Sequence, residues 1–481
     1  MNVLLFLADQ QRAIQHFPRG WGRRHMPGLT RLQEHGMLFE HAFTNACMCS
    51  PARSTLMSGY FPAQHGVKYT LETDMPAPKY PQVELSTSFK NLASVSRAAG
   101  YTPVYKGKFH CNKPANGSDW VPEDVNKYGF TRWDPPDAGA DQSIPEEGGG
   151  IYDNDGRFMN SEGTPEAGTE GAVQYLRDTA RQSQPFFMVV SLVNPHDVLL
   201  YPKTYESGGY DPAWLEGEIG LPATVDEDLS TKPTVQAEFL RLFNASGPIP
   251  APQMKRNYLN FYGNLMKASD EYLVKILDTL EARGLLENTL VVATADHGEM
   301  GTAHGGLSQK NFNFYEETTR VPLVYSNPRL FPRPERNRSL VSHVDFLPTL
   351  AGLLDAPSHA RGHWQGVDYS DQILCRSARP PQAYTVFTYD DWQSGQASGP
   401  YPKPPNHIVS IREHRYKIAR YYDVNGKVPP QWEMYDLKRD PLERTNLAYK
   451  HYRRTPEQER EYKRLKRKLA RVERTRLQPL R

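Results

Sequence analysis

The pentapeptide Cys49-Ser50-Pro51-Ala52-Arg53 concentrates reactive residue types within one helical turn of this 481-residue chain. Pro51 suits the first turn of a short helix and Gly59 its C-terminal cap, so residue 49 falls at the helix N-terminus. Free N–H groups and the helix dipole favour an oxyanion there. Cys47, Cys49, Cys111 and Cys375 are too few and too scattered for a disulfide scaffold, and Cys47-Met48-Cys49 is not a zinc spacing, so a special cysteine has to be special chemically. Four further clusters each stand at the end of an apolar run, the second after Lys106-Gly107. Asp9-Gln10 follows residues 3–8, Lys108-Phe109-His110 follows 102–105, Asn194-Pro195-His196-Asp197 follows 186–193, and Asp296-His297-Gly298-Glu299 follows 290–295.

Continuous apolar runs of this kind read as strands buried on both faces. Between them lie helical patterns, at residues 88–99 closed by Gly100 and at 258–283 closed by Gly284, the second with Phe261, Leu265, Ala268, Tyr272, Ile276 and Leu280 along one face. Strands alternating with helices predict a mostly parallel sheet covered on both sides. The functional crevice of such an open sheet lies beyond the carboxyl ends of its strands, where all four clusters fall. Residues 134–168 and 201–253, with their glycines, acids and scattered prolines, read as surface excursions, some lining the crevice. After a Pro-rich segment at 377–381 the texture changes to short strand-like runs at 407–411, 416–422 and 432–437. The expected division is a large domain over 1–376 and a small antiparallel α+β subdomain over 377–481. A final helix opens at Thr455-Pro456-Glu457 and places Tyr462, Leu465, Leu469 and Val472 on one face.

The apolar fraction of 38%, the charged fraction of 23% and the net charge of +2 describe a globular chain with no general bias toward nucleic acid. Residues 451–481 nevertheless hold 12 Lys/Arg against 4 Asp/Glu. A docked amphipathic helix with a solvated outer face accounts for that tail without a nucleic-acid or membrane partner. No apolar run approaches the roughly 18 residues that span a bilayer, and no secretory leader pattern opens the sequence, so the expected location is cytoplasmic.

The Cys49–Arg53 motif, with Ser58-Gly59 and His65-Gly66 behind it and Asp440-Pro441-Leu442-Glu443-Arg444-Thr445-Asn446-Leu447-Ala448 near the C-terminus, resembles the type I sulfatases over nearly the whole chain. The resemblance implies an α/β fold, an alkaline-phosphatase-like α/β/α sandwich with a large, mostly parallel mixed sheet. A small C-terminal antiparallel sheet and a terminal helix complete it. It also implies a formylglycine-generating maturation enzyme that oxidises Cys49, and a hydrated aldehyde, steadied by Arg53, that attacks the sulfur of a small-molecule sulfate ester. Asp9, Gln10, Asp296 and His297 match the family's metal ligands, with residue 49 completing the set. Lys108 and His110 match its Lys-X-His pair. His196 and Lys310 match residues that hold the transferred group and assist the leaving oxygen, which makes Lys108, His196 and Lys310 the expected substrate contacts. His304 fits a site role and a turn-stabilising one equally.

Two positions depart from the commoner family pattern, which has a second Asp in place of Gln10 and an Asn in place of His297. Losing a carboxylate leaves the ion's field less neutralised, and an imidazole suits manganese better than calcium. The expected cofactor is one divalent ion, calcium on family prevalence, with manganese as the alternative. The same metal pairs also resemble a phosphonate monoester hydrolase or phosphodiesterase of the superfamily, against which Lys108 and His110 speak. A non-catalytic binding protein is the third reading, against which the full set of reactive side chains speaks. The expected activity is arylsulfatase-like, while sugar and alkyl sulfates also fit as substrates, with Arg19-Gly20-Trp21-Gly22-Arg23-Arg24 and Asp390-Asp391-Trp392 as candidate rim, and the oligomeric state is open. Cys49 alone, not Cys47, has Pro and Arg at the required offsets. Peptide mass spectrometry after co-expression with a cysteine-type maturation enzyme should therefore find the aldehyde at 49, and full activity with an intact thiol there would refute this chemistry.

Overall fold

The first strand, β1 (Asn2–Ala8), is buried at every position, and its alternating side chains feed two different cores. Val3 and Leu5 join one cluster with Leu56, Leu92, Val95, Leu347 and Leu350. Leu4 and Phe6 join another with Leu32, Leu176, Leu273, Ile276 and Leu280. Period-two alternation with both sets apolar is what a strand between two helical layers requires. The computed structural model describes residues 1–72, 82–115, 117, 119–139, 151–164, 169–179, 184–199, 201–246, 249–374, 376, 379–396 and 399–480.

The remaining strands are β2 (Gly36–Phe43), β3 (Ala46–Cys47), β4 (Thr102–Gly107), β5 (Phe186–Ser191), β6 (Thr289–Ala295), β7 (Leu323–Ser326), β8 (Glu335–Ser342), β9 (Thr385–Tyr389), β10 (His407–Arg412), β11 (Tyr416–Tyr422) and β12 (Gln431–Asp436). Seven of them form a sheet in the order β4-β5-β1-β6-β7-β2-β8. The four that precede reactive clusters, β4, β5, β1 and β6, are adjacent and parallel, and β7 runs antiparallel to its neighbours β6 and β2. The expected α/β/α sandwich with a mostly parallel mixed sheet is therefore present. The register pairs Ala8 with Ala295, so Asp9 and Asp296 leave the sheet level with one another.

The second sheet has the order β12-β11-β10-β9-β3. Its C-terminal strands are antiparallel, but its edge is the two-residue β3, parallel to β9 and lying just before Cys49. The small sheet thus reaches into the chain far ahead of the expected division at 376/377. Residues 377 and 378 themselves lie outside the described residues. The closing signature near the C-terminus ties the two sheets together. Glu443 accepts the amide of Glu316 at 2.7 Å and pairs with Lys417 at 2.7 Å, while Lys417 also pairs with Glu316 at 3.3 Å. Asn446 accepts the amides of Met434 and Ala448 and donates to the carbonyls of Thr231 and Trp432.

Element ends differ from expectation for identifiable reasons. The helix expected from residue 88 runs from Leu92 to Ala98, because Asn91 accepts the amides of Ala93 and Ser94 and so starts it there. The long helix begins at Pro252, with proline in its first turn. Residues 201–253 are not only surface excursion. They include a helix, Thr234–Ser246, whose Val235, Phe239 and Phe243 pack with Phe312, Tyr389 and Tyr421 under the second sheet. Part of the other excursion, residues 140–150 and 165–168, lies outside the described residues.

The terminal helix, Pro456–Arg476, is capped by the Thr455 hydroxyl, which accepts the amide of Gln458, and it buries Leu465, Leu469 and Val472 against Val409, Ile411 and Ile418. Leu469→Ala should destabilise the protein by about 2–5 kcal/mol. Arg467→Ala, on the opposite exposed face, should change it by less than about 0.5 kcal/mol. Denaturant midpoints for the two variants check the docking of this helix.

Candidate active site

The helix Cys49–Ser58 is buried along its whole length, with Met48 before it and Gly59 at φ 72° closing it through a bond to the Thr55 carbonyl. One turn in from Cys49, the fully buried Arg53 reaches four strand ends. Its Nε donates to Asp296 Oδ2 at 2.9 Å and its Nη2 to Asp9 Oδ2 at 3.1 Å, while Nη1 donates to the Lys108 carbonyl and to Ser191 Oγ, both at 2.8 Å. The adjacent acids raise the pKa of Arg53 further although burial opposes them, so it stays charged. The contacts Arg53 makes are thus to the acids and loops around residue 49.

Asp9, Cys49, Asp296 and His297 each direct one ligand atom into a common region, all within 4.8 Å of one another. Cys49 Sγ lies 3.2 Å from His297 Nε2 and 3.6 Å from Asp9 Oδ1. The other ring nitrogen of His297 is 3.1 Å from the Gly298 carbonyl, which fixes the proton on Nδ1 and leaves the Nε2 lone pair facing the cluster. Burial, and then Asp9, push the Cys49 thiol up to about 12, so it is not an activated thiolate. Asp9 is held well below the usual carboxylate range, because Lys108 and then Arg53 outweigh the opposing effect of burial.

Gln10 takes a positive φ of 67° and is fixed at both ends of its amide. Its Nε2 donates to Glu299 at 2.5 Å and Gln309 at 3.1 Å, and its Oε1 accepts Lys310 Nζ at 2.6 Å. Tyr258 holds Glu299 in turn with a 2.6 Å bond. Lys108 Nζ pairs with Asp9 Oδ2 at 2.6 Å. Gly139, at φ 82°, lies over that ammonium so closely that a Cβ would stand 2.4 Å from Nζ. His110 Nε2 bonds the Leu71 carbonyl at 2.6 Å, while its buried Nδ1 has no hydrogen-bond partner among the described residues. Burial, reinforced by Lys108, drives both His110 and His196 well below the ordinary histidine range, so both are neutral.

Three carboxylates hold the loops that carry these groups. Asp296 Oδ1 accepts the amides of Gln10 and His297. Asp137 accepts those of Phe109, His110 and Ala138, and Asp155 accepts those of Val193 and Asn194 just before His196. Asp137, Asp155, Glu299 and Gln309 were not among the sequence candidates. Glu299 and Gln309 stood beside assigned residues, whereas an acid that binds backbone amides leaves no side-chain pattern to read.

Other expectations resolve away from the centre. His304 sits at φ 49° with Nδ1 2.8 Å from Glu227, Nε2 3.7 Å from Glu317 and its ring stacked on Tyr315 at 3.7 Å, and the two glutamates raise its pKa to about 9 despite burial. It clamps its turn to the 224–227 segment. Trp21 is not a rim residue: it is buried among Tyr262, Leu265 and Met266. Trp392 is half-buried and packs edge-on against Tyr401, while Asp391 accepts both the amide and the hydroxyl of Thr70. No helix among the described residues is long and apolar enough to cross a membrane.

Residues 1–356 match the family model described as Sulfatase, and residues 304–475 match N-sulphoglucosamine sulphohydrolase, C-terminal. A Delta 4,5-hexuronate-2-O-sulfatase of Bacteroides thetaiotaomicron is 26% identical over 421 residues, covering 86% of this chain and 77% of its own. A choline-sulfatase of Rhizobium meliloti is 25% identical over 470 residues, covering 93% and 82%. Among solved structures, a 2-O GAG sulfatase superposes with a TM-score of 0.73 at 21% identity, over 98% of this chain and 92% of that one.

Proposed function

Since the chain belongs to the sulfatase family and is a sulfuric ester hydrolase, we propose that it cleaves sulfate monoesters of sugars at the Asp9–Cys49–Asp296–His297 centre. One divalent ion and a formylglycine made from Cys49 by a maturation enzyme complete the site. The observation that carries this reading is the convergence of those four buried ligand atoms. Cys49 Sγ stands where an oxygen of the formylglycine side chain would be, and the unactivated thiol supports a nucleophile other than sulfur. Two carboxylates, the Gln10 amide and a neutral imidazole suit a hard divalent ion, calcium or, with the imidazole, manganese. When present, the hydrated aldehyde supplies one hydroxyl for attack on sulfur and a second whose proton loss releases sulfate, and the ion supplies the field that makes the first hydroxyl nucleophilic.

The remaining work falls to side chains of the chain itself. Lys108, kept charged because Asp9 outweighs the effect of burial, and Lys310 neutralise the sulfuryl oxygens from two sides. His196 is held neutral beside them and can orient the ester by hydrogen bonding. Lys310, its Nζ fixed on Gln10, gives a proton to the leaving sugar oxygen. His110, with Nε2 committed to the Leu71 carbonyl, presents Nδ1 as a proton acceptor. A sugar is preferred as the alcohol because a relative at 26% identity is named for a hexuronate sulfate.

Asp9→Ala and Asp296→Ala should lose metal and activity together, whereas Lys310→Ala should keep the metal and lose about 2.7–4 kcal/mol of transition-state stabilisation. Metal analysis beside turnover separates the cases, and normal metal content in Asp296→Ala would remove it from the ligand set.

Gln10 and His297 favour the phosphonate monoester or phosphodiester reading as the second one. A phosphodiester replaces one of the three free oxygens of a sulfate monoester with an alkoxy group, leaving the Lys108 ammonium poorly paired at about 1–3 kcal/mol. Specificity constants on matched nitrophenyl esters should therefore favour sulfate. A preference for phosphodiester or phosphonate that survives exchange of calcium for manganese would establish the second reading.

A further inference from the structure

The terminal helix Pro456–Arg476 carries charge that neither the fold nor the active site uses. Arg460, Lys463, Arg467, Arg471 and Arg474 are all exposed and follow one another at intervals of three or four residues. At helical geometry they occupy an arc of about 80° and a straight run of about 21 Å. Leu465, Leu469 and Val472 lie on the opposite side, against β10 and β11.

The helix is not simply rich in charge of both signs, because each of its acids is already held in an ion pair. Glu457 pairs with Arg415 at 2.9 Å, Glu459 with Arg454 at 2.5 Å, Glu461 with Arg464 at 2.7 Å, and Glu473 with Arg420. Lys463 shares Glu459 at 3.4 Å, but Arg460, Arg467, Arg471 and Arg474 form no ion pair among the described residues. Like charges at these spacings repel and weaken a helix, and a solvated face ordinarily mixes signs. Here that repulsion is kept along the outer face and is offset by the apolar packing of the inner face and by the ion pairs on the helix flanks.

We propose that this stripe is a docking surface for an extended sulfated polysaccharide. The proposal rests on the reading of the active site as one that cleaves sulfate esters of sugars. Guanidinium groups match oxyanions with paired donors, and a row of them matches a polymer bearing oxyanions at intervals. Two other polyanions fit less well. No aromatic side chain stands within the stripe to stack on bases. The apolar face that a bilayer-binding helix would insert is already buried in the protein. A polysaccharide held on the stripe also raises the local concentration of the ester group that the active site cleaves.

The probe is size-fractionated dextran sulfate, with a DNA duplex and phosphatidylserine vesicles run beside it on the full-length, matured protein. The parent protein should bind dextran sulfate in a salt-sensitive manner. A variant carrying Arg460→Gln, Arg467→Gln, Arg471→Gln and Arg474→Gln should bind it at least about tenfold more weakly. A control with the same charge change at exposed sites elsewhere, Arg283→Gln, Arg333→Gln, Lys427→Gln and Lys438→Gln, should bind like the parent. All three proteins should hydrolyse nitrophenyl sulfate equally, which also verifies their folding. Equal binding by the stripe variant and the parent would overturn the proposal, as would tighter binding of the duplex or the vesicles through the stripe. Binding is read without turnover, so a protein inactive on every sulfate ester that still docks through the stripe sinks the active-site reading alone. An active protein that does not dock sinks this one alone.

Discussion

The Arg53 guanidinium, buried between Asp9 and Asp296, is the interaction around which the rest of the centre is arranged. Both acids leave adjacent parallel strands at the same level, so without a cation between them two carboxylates would face each other away from water. Isolated buried charges are too costly to survive, and they persist only when paired and hydrogen-bonded. Arg53 meets both acids and also takes the Lys108 carbonyl and the Ser191 hydroxyl, binding the ends of β1, β6, β4 and β5 into one unit. The helix that carries Arg53 also carries Cys49, so the same contact sets where residue 49 stands. Positioning and charge compensation are here a single event.

Around that unit, carboxylates replace loop flexibility with fixed amide bonds. Asp137 and Asp155 each gather consecutive N–H groups just after a strand, where the chain must turn sharply to bring His110 or His196 inward. Gly107, at φ 93°, permits the first of these turns, since a Cβ there would meet the Ser191 carbonyl at 1.9 Å. The positive φ of Gln10 and His110 shows that the backbone beside the Asp9–Cys49–Asp296–His297 cluster is held in sparsely populated conformations. Groups held so firmly need little rearrangement to meet charge that develops during reaction.

What the sequence made legible follows from burial. Strands covered on both faces are unbroken apolar runs, so β1, β4, β5 and β6 stand out, and the clusters behind them are where a parallel sheet opens to its crevice. The terminal helix was visible from its cap and its single apolar face. Hidden features depended on partners distant in the chain. Asp137 and Asp155 act on backbone, β3 is two residues long, Trp21 looked like a rim residue but fills a core, and the Val235-Phe239-Phe243 face was masked by neighbouring prolines. None of these has a local signal that distinguishes it from an ordinary loop.

The pairing of β3 with β9 sets an order of events during synthesis. Ala46 and Cys47 have no partner strand until residues 385–389 emerge, some 340 residues later. At roughly 5–20 residues per second, that interval lasts on the order of 20–70 s. Through it, the segment leading into Cys49 lacks its β-partner, and for the larger part of it the helix behind also lacks β6, whose end supplies one of the two acids that anchor Arg53. Once the small sheet closes, Cys49 is 2% exposed. An enzyme that acts on that thiol therefore works against the clock of translation, and any codon change that hastens or slows the central part of the message alters how much time it has.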